Sequence, residues 1–125
     1  MAMNSQLKPL VNIIINNYNY DRFLSQAIDS ALNQTCPGVI VVDDGSTDDS
    51  RNVILEHGDR ILPILKENGG QFSAFMAAVE QSKGDLLFFL NSDDIFLPNK
   101  VEKLVPRLTL LKSNNFLKVP RNSKL

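Results

Sequence analysis

The stretch Val39-Ile40-Val41-Val42-Asp43-Asp44-Gly45-Ser46-Thr47-Asp48-Asp49 decides how the rest of the chain is read. Four consecutive β-branched residues with no polar interruption suit a short strand buried on both faces, the kind found inside parallel sheets. The polar run behind it then lies at the carboxyl end of that strand, where open α/β sheets bind their ligands. Ser46, with Asp49 three residues on, has the form of a capping box in which the shorter acid replaces Glu. A helix is expected from there to about His57, with Gly58 closing it.

The same alternation extends in both directions. Leu10 to Ile15 is a short, branched, mostly apolar strand that breaks off at Asn16-Asn17. Asp21 can cap a helix whose apolar positions Phe23, Leu24, Ala27, Ile28, Ala31 and Leu32 recur at helical spacing, and Gln34-Thr35-Cys36-Pro37-Gly38 ends it. Ile61 to Leu65 makes a third strand, which Pro63 assigns to a sheet edge. After the turn Asn68-Gly69-Gly70, the residues Phe72, Phe75, Met76, Ala78 and Val79 mark a helix that Gly84 can end, and Leu86 to Leu90 is a fourth strand. Pro98 opens a last helix with Val101, Leu104, Val105 and Leu108, which Pro106 bends or interrupts. Strand and helix alternating in this way predict an α/β fold, a mostly parallel sheet with helices on both faces.

Composition narrows the function. With 125 residues and 43% hydrophobic content the chain can bury one modest core. A net charge of -1 gives no global basic field, so nucleic acid is not expected as a partner. Every acidic residue lies between Asp21 and Glu102, while Lys103, Arg107, Lys112, Lys118, Arg121 and Lys124 make a basic tail able to meet phosphates or an anionic membrane surface. The single cysteine, Cys36, excludes an internal disulfide framework. The single histidine, His57, is expected as a surface or capping residue at a helix end, which disfavours a Ser-His-Asp hydrolase. No apolar run reaches the roughly 20 residues that span a bilayer, and the first residues contain no apolar signal core. The expectation is a soluble cytoplasmic chain that can touch the inner membrane face peripherally. Asn33-Gln34-Thr35 and the terminal Ser123-Lys124-Leu125 match a glycosylation acceptor and a peroxisomal address, and both are read as chance.

Three polar clusters fall at strand ends: Asn16-Asn17-Tyr18-Asn19, Asp43-Asp44-Gly45-Ser46 and Asn91-Ser92-Asp93-Asp94. In a parallel sheet these can share one cleft. Adjacent carboxylates repel, so Asp93 and Asp94 suit a hard cation such as Mg2+ or Mn2+, which keeps positions open for diphosphate oxygens. Tyr18 can stack a base, and Asp44 can accept hydrogen bonds from base or ribose donors. Each has a plainer alternative: Tyr18 as packing, Asp44 as a cap for the following helix, Gly69-Gly70 as a simple turn, and Asp93-Asp94 as an exposed acidic turn. Neither a Walker A sequence nor a Gly-x-Gly-x-x-Gly follows the first strand, which disfavours P-loop enzymes and dinucleotide dehydrogenases.

The segments Ile13 to Asn19, Ser30 to Thr35, Val41 to Asp48, Glu67 to Gln71 and Lys83 to Asp94 occur in an order that resembles the amino-terminal half of a family 2 glycosyltransferase with the GT-A fold. The resemblance implies transfer of a sugar, usually with inversion, from a nucleotide diphosphate sugar donor to a glycan, lipid or protein acceptor. It implies donor binding by Asn16, Tyr18, Asp44 and Asp93, and Mg2+ or Mn2+ held by Asp93 and Asp94. Residues 1-105 are expected to form the nucleotide-sugar-binding part and 106-125 an atypical basic tail, with the acceptor half and its catalytic base absent. The departures are Asn91 where many relatives carry Asp, Asn16-Asn17 in place of Pro-Thr, and Met76 where Asn is common. The contrasting expectation is a non-catalytic remnant that binds nucleotide or self-associates through an open sheet edge.

Overall fold

The computed structural model describes residues 10–34 and 38–104. Cys36, the basic tail, the Val105 to Leu108 part of the last helix and the boundary near residue 105 lie outside the described residues. The chain runs through β1 (Val11–Asn17), α1 (Asp21–Leu32), β2 (Gly38–Asp44), α2 (Ser50–Glu56), a 3-10 turn (Gly58–Arg60), β3 (Leu62–Lys66), α3 (Gln71–Gln81) and β4 (Leu86–Asn91). Residues 100–104 are helical, within the last helix expected from Pro98.

The four strands form one all-parallel sheet in the order β3-β2-β1-β4. Pro63 therefore sits on an edge strand, where a missing N–H costs least. Strand alternation divides the branched residues between two cores. Val11, Ile13 and Ile15 of β1, with Val39 and Val41 of β2, pack with Leu24, Ala27, Ile28 and Ala31 of α1, Ile54 of α2 and Val101. Ile14, Ile40 and Val42 face the other way, onto Ala74 and Ala78 of α3. Helices thus cover both faces, as expected. Ile13, Ile14 and Ile15 are each no more than 1% exposed, and burial of such a side chain contributes about 2 kcal/mol. The α3 face is thinner, and Phe72 and Phe89 remain exposed at the ends of an aromatic row through Phe75.

Several local expectations are corrected. β1 does not break off at Asn16; it runs through Asn17, because Asn16 and Asn17 continue the ladder opposite Val42 and Asp43. β2 likewise includes Asp43 and Asp44. Asp21 does not cap α1: Tyr20 occupies the N-cap, and Asp21 Oδ2 accepts the Asp49 amide at 3.0 Å. Ser46 and Asp49 form no capping box, because the Ser46 hydroxyl donates to Asp43 Oδ1 at 2.6 Å and α2 starts only at Ser50. Asp48 does that work, accepting the Ser50 amide at 2.9 Å and the Asp21 amide at 3.0 Å. α1 ends at Leu32, the last apolar position expected in it, whereas the helix end read from Gly84 comes earlier, at Gln81. His57 holds the expected C-cap of α2, with Gly58 in the left-handed region after it, but it is buried rather than on the surface. Its ring fills the joint between the two helices, Nδ1 lying 2.9 Å from the Val53 carbonyl and Nε2 3.3 Å from Asp29.

Candidate functional site

Because all four strands point the same way, their carboxyl ends meet on one rim. The register sets Asn16 between Val42 and Asn91, Asn17 beside Asp43, and Asp44 beside Lys66.

The two adjacent acids of β2 face different surroundings, since successive side chains leave a strand on opposite faces. Asp43 is fully buried and frames the rim. It accepts Asn17 Nδ2 at 2.9 Å, the Ser46 hydroxyl and backbone amide, and Arg51 Nε at 3.1 Å. Arg51 continues to the Lys66 carbonyl at 2.9 Å, tying α2 to β3. Asn19, with a positive φ of 59° that Asn tolerates better than most residues, accepts the Thr47 and Asp48 amides. The loops after β1 and β2 are thereby held together.

Asp44 does not cap α2; it organises the start of α3. Its Oδ1 accepts Lys66 Nζ at 2.8 Å and the Gly69 amide at 3.0 Å, and its Oδ2 accepts the Gly70 amide at 2.9 Å and Asn68 Nδ2 at 3.3 Å. Burial opposes its charge, but the Lys66 ammonium and the two glycine amides outweigh that cost and hold the carboxyl below the usual carboxylate range. Gly45 is required beside it: φ is 82°, and a Cβ there would collide with the Asn68 backbone. Asp48 is shifted the same way, burial again being overcome by hydrogen bonds from Ser50 and the Asp21 amide.

Between these elements lies an open cleft of about 400 Å³, lined by Asn16, Tyr18, Tyr20, Asp44, Asn68, Gly70, Gln71, Asn91, Ser92 and Asp93. The structure brings four of the expected residues, Asn16, Tyr18, Asp44 and Asp93, to this cleft and leaves Asp94 out of its lining. Asp94 is exposed beside it, its amide bonded to the Asn91 carbonyl at 3.0 Å and its Oδ1 accepting the Ile95 amide at 2.8 Å. Tyr20, Asn68, Gln71 and Lys66 escaped the sequence reading. The sequence signal for Lys66 is weak: it follows the predicted strand Ile61 to Leu65, and only the pairing of β3 with β2 sets it opposite Asp44.

A divalent cation fits the acidic corner by its donor chemistry. Asp93 and Asp94 are exposed oxygen donors that follow Asn91 and Ser92 in sequence at the rim of the cleft. Among the described residues no group of three or more His, Cys, Asp or Glu could enclose a metal. Mg2+ needs no such cage, because it is held by one or two carboxylates and completes its shell with water and phosphate oxygens. Also among the described residues, no helix is long and apolar enough to cross a membrane.

The all-parallel sheet, its helices and the rim cleft define a GT-A glycosyltransferase fold. Solved structures align with it at a TM-score of 0.67. One is a mannosyltransferase from Pyrobaculum calidifontis in complex with GDP-Man and Mn2+, 21% identical, with 83% of this chain and 32% of that chain covered. Another is S. aureus TarS in complex with UDP-GlcNAc, 24% identical, with 85% and 32% covered. The family model described as Glycosyl transferase family 2 matches residues 12–119, and the chain belongs to that family. The match runs past residue 105 into the segment read from sequence as a basic tail. An uncharacterized glycosyltransferase of Nostoc sp. (strain PCC 7120) is 44% identical over 101 residues, covering 76% of this chain and 31% of the relative. The chain spans about a third of the length of some curated relatives it matches, 31% and 35% for two of them, and between 10% and 18% of others.

Proposed function

We propose that the cleft binds a nucleotide diphosphate sugar, with the base at the Tyr18 and Asp44 end and the diphosphate at the Asp93 and Asp94 end. The chain then supplies the donor-binding part of a glycosyltransferase that passes the sugar, with inversion, to a glycan, lipid or protein acceptor. The observation that carries this reading is the convergence of Asn16, Tyr18, Asp44 and Asp93, from three strand ends, on one cleft of about 400 Å³. That volume is within the usual range for small-molecule sites.

Each residue has a task its chemistry suits. The half-exposed ring of Tyr18 offers a stacking face. Asp44 stays ionised and accepts from a base, while Asn16 and Asp93 face ribose hydroxyls. Asp93 and Asp94 would hold Mg2+ or Mn2+. When bound, that ion neutralises the charge of the departing diphosphate. The activity proposed for the described residues is donor binding. Titration calorimetry with UDP and GDP, with and without Mg2+ or Mn2+, tests the reading. Binding should require the metal and weaken about tenfold or more in Asp93→Ala, as a charge-assisted contact is lost. Absence of binding by any nucleotide diphosphate in the presence of either metal would overturn it.

A further inference from the structure

Asp44 lines the cleft, yet its own protein donors occupy it completely. A carboxylate offers about four lone-pair sites. Lys66 Nζ and the Gly69 amide fill Oδ1, and the Gly70 amide and Asn68 Nδ2 fill Oδ2. A base can reach this carboxylate only if one donor withdraws. Three of the four are built in. The Gly69 and Gly70 amides belong to the start of α3, of which Gly70 is the N-cap. Asn68 is held a second time, through Nδ2 to the Asp44 carbonyl at 3.0 Å. Lys66 differs: it has a long flexible stem and a side chain 21% exposed, and its ammonium also donates to the Glu67 carbonyl at 2.7 Å, a bond that it can keep when it leaves Asp44.

We propose that Lys66 is a specificity-determining residue of the donor cleft, an internal occupant of the Asp44 carboxylate that competes with the nucleobase for it. With Lys66 in place the Asp44 carboxylate is filled from within the protein; with Lys66 withdrawn it presents an open acceptor to the cleft. Uracil and guanine carry a ring N–H on the edge that would face Asp44, whereas cytosine and adenine carry a ring acceptor there. Lys66 therefore restrains binding of the first pair and has no such effect on the second. This inference rests on the donor-cleft reading above.

The test is calorimetry of the full chain and its Lys66→Met variant with UDP, GDP, CDP and ADP at one fixed Mg2+ concentration. In Lys66→Met, UDP and GDP should tighten by about tenfold, the scale of one hydrogen bond to a charged group. CDP and ADP should stay unchanged or weaken, so that the ratio between the pairs shifts by tenfold or more. Lys66→Arg, which keeps a cationic donor, should retain the ratio of the unmodified chain. If Lys66→Met does not fold, Lys66→Gln carries the test with a smaller shift in the same direction. An equal change for all four nucleotides, or none, overturns the role of Lys66 while leaving the cleft as a nucleotide site. Failure of the unmodified chain to bind any of the four overturns both readings.

Discussion

The two acidic corners of the cleft are opposites. At the end of β2, Asp44 is 3% exposed and receives four hydrogen bonds, including an ion pair to a strand neighbour. Beyond the end of β4, Asp93 and Asp94 are exposed, and Asp94 Oδ1 accepts the amide of the next residue along. The acceptor sites of the first corner are filled by protein donors before any ligand arrives, whereas the second has acceptor capacity to spare. Carboxylates of one cleft can therefore differ in how readily a ligand reaches them, according to how many protein donors each already has.

The largest expected effect separates the corners by stability. Asp44→Ala strips the Lys66 ammonium of its buried counter-charge and leaves the Gly69 and Gly70 amides without their acceptor. Removing one member of such a pair costs about 3 kcal/mol. Asp93→Ala, at an exposed position, should change stability by no more than about 0.5 kcal/mol. Urea denaturation of both variants measures the difference, and equal losses would erase the contrast.

Acid should expose the same contrast more gently. The folded-state pKa values of Asp44 and Asp48 lie below the ordinary value of 3.8. Their contribution is fully present above that ordinary value and disappears as pH falls through the lower folded values. Denaturation midpoints should accordingly hold between pH 7 and pH 5 as far as these two groups are concerned, and fall below about pH 4. Asp44→Asn and Asp48→Asn should each flatten that fall. An unchanged slope in both would mean that other carboxylates govern the acid limb.

How much of this was legible in the sequence depends on whether the deciding partner was local. The strands could be read because Val39 to Val42 and Ile13 to Ile15 have no partly polar alternative, and the edge position of β3 followed from one proline. The cap assignments at Asp21 and Ser46 failed for different reasons. Asp21 had a distant partner, the Asp49 amide, whereas Ser46 turned back to Asp43, a local acceptor that the capping pattern did not consider, and also received Asn17 Nδ2 from the neighbouring strand. The cleft residues Asn16, Tyr18, Asp44 and Asp93 were found because strand ends are predictable places. Lys66 was missed because its role exists only once β2 and β3 are paired with Asp44 opposite it.

Asn91 allows the open corner to be pushed toward the filled one. It ends β4 opposite Asn16, is exposed, and lines the cleft as a neutral amide two residues before Asp93. Asn91→Asp would add one charge in nearly the same shape. A unit charge about 4 Å from a divalent ion in water-like surroundings is worth about 2 kcal/mol before desolvation and screening. A net gain of about tenfold in Mn2+ affinity is therefore expected, with little change in stability because the site is exposed. Manganese binding followed by proton relaxation, with and without a nucleotide diphosphate, gives the answer. A gain only when the nucleotide is present would mean that the phosphates complete the site. No gain in either condition would mean that Asp93 and Asp94 alone set it, and that the amide of Asn91 serves the ligand instead of the ion.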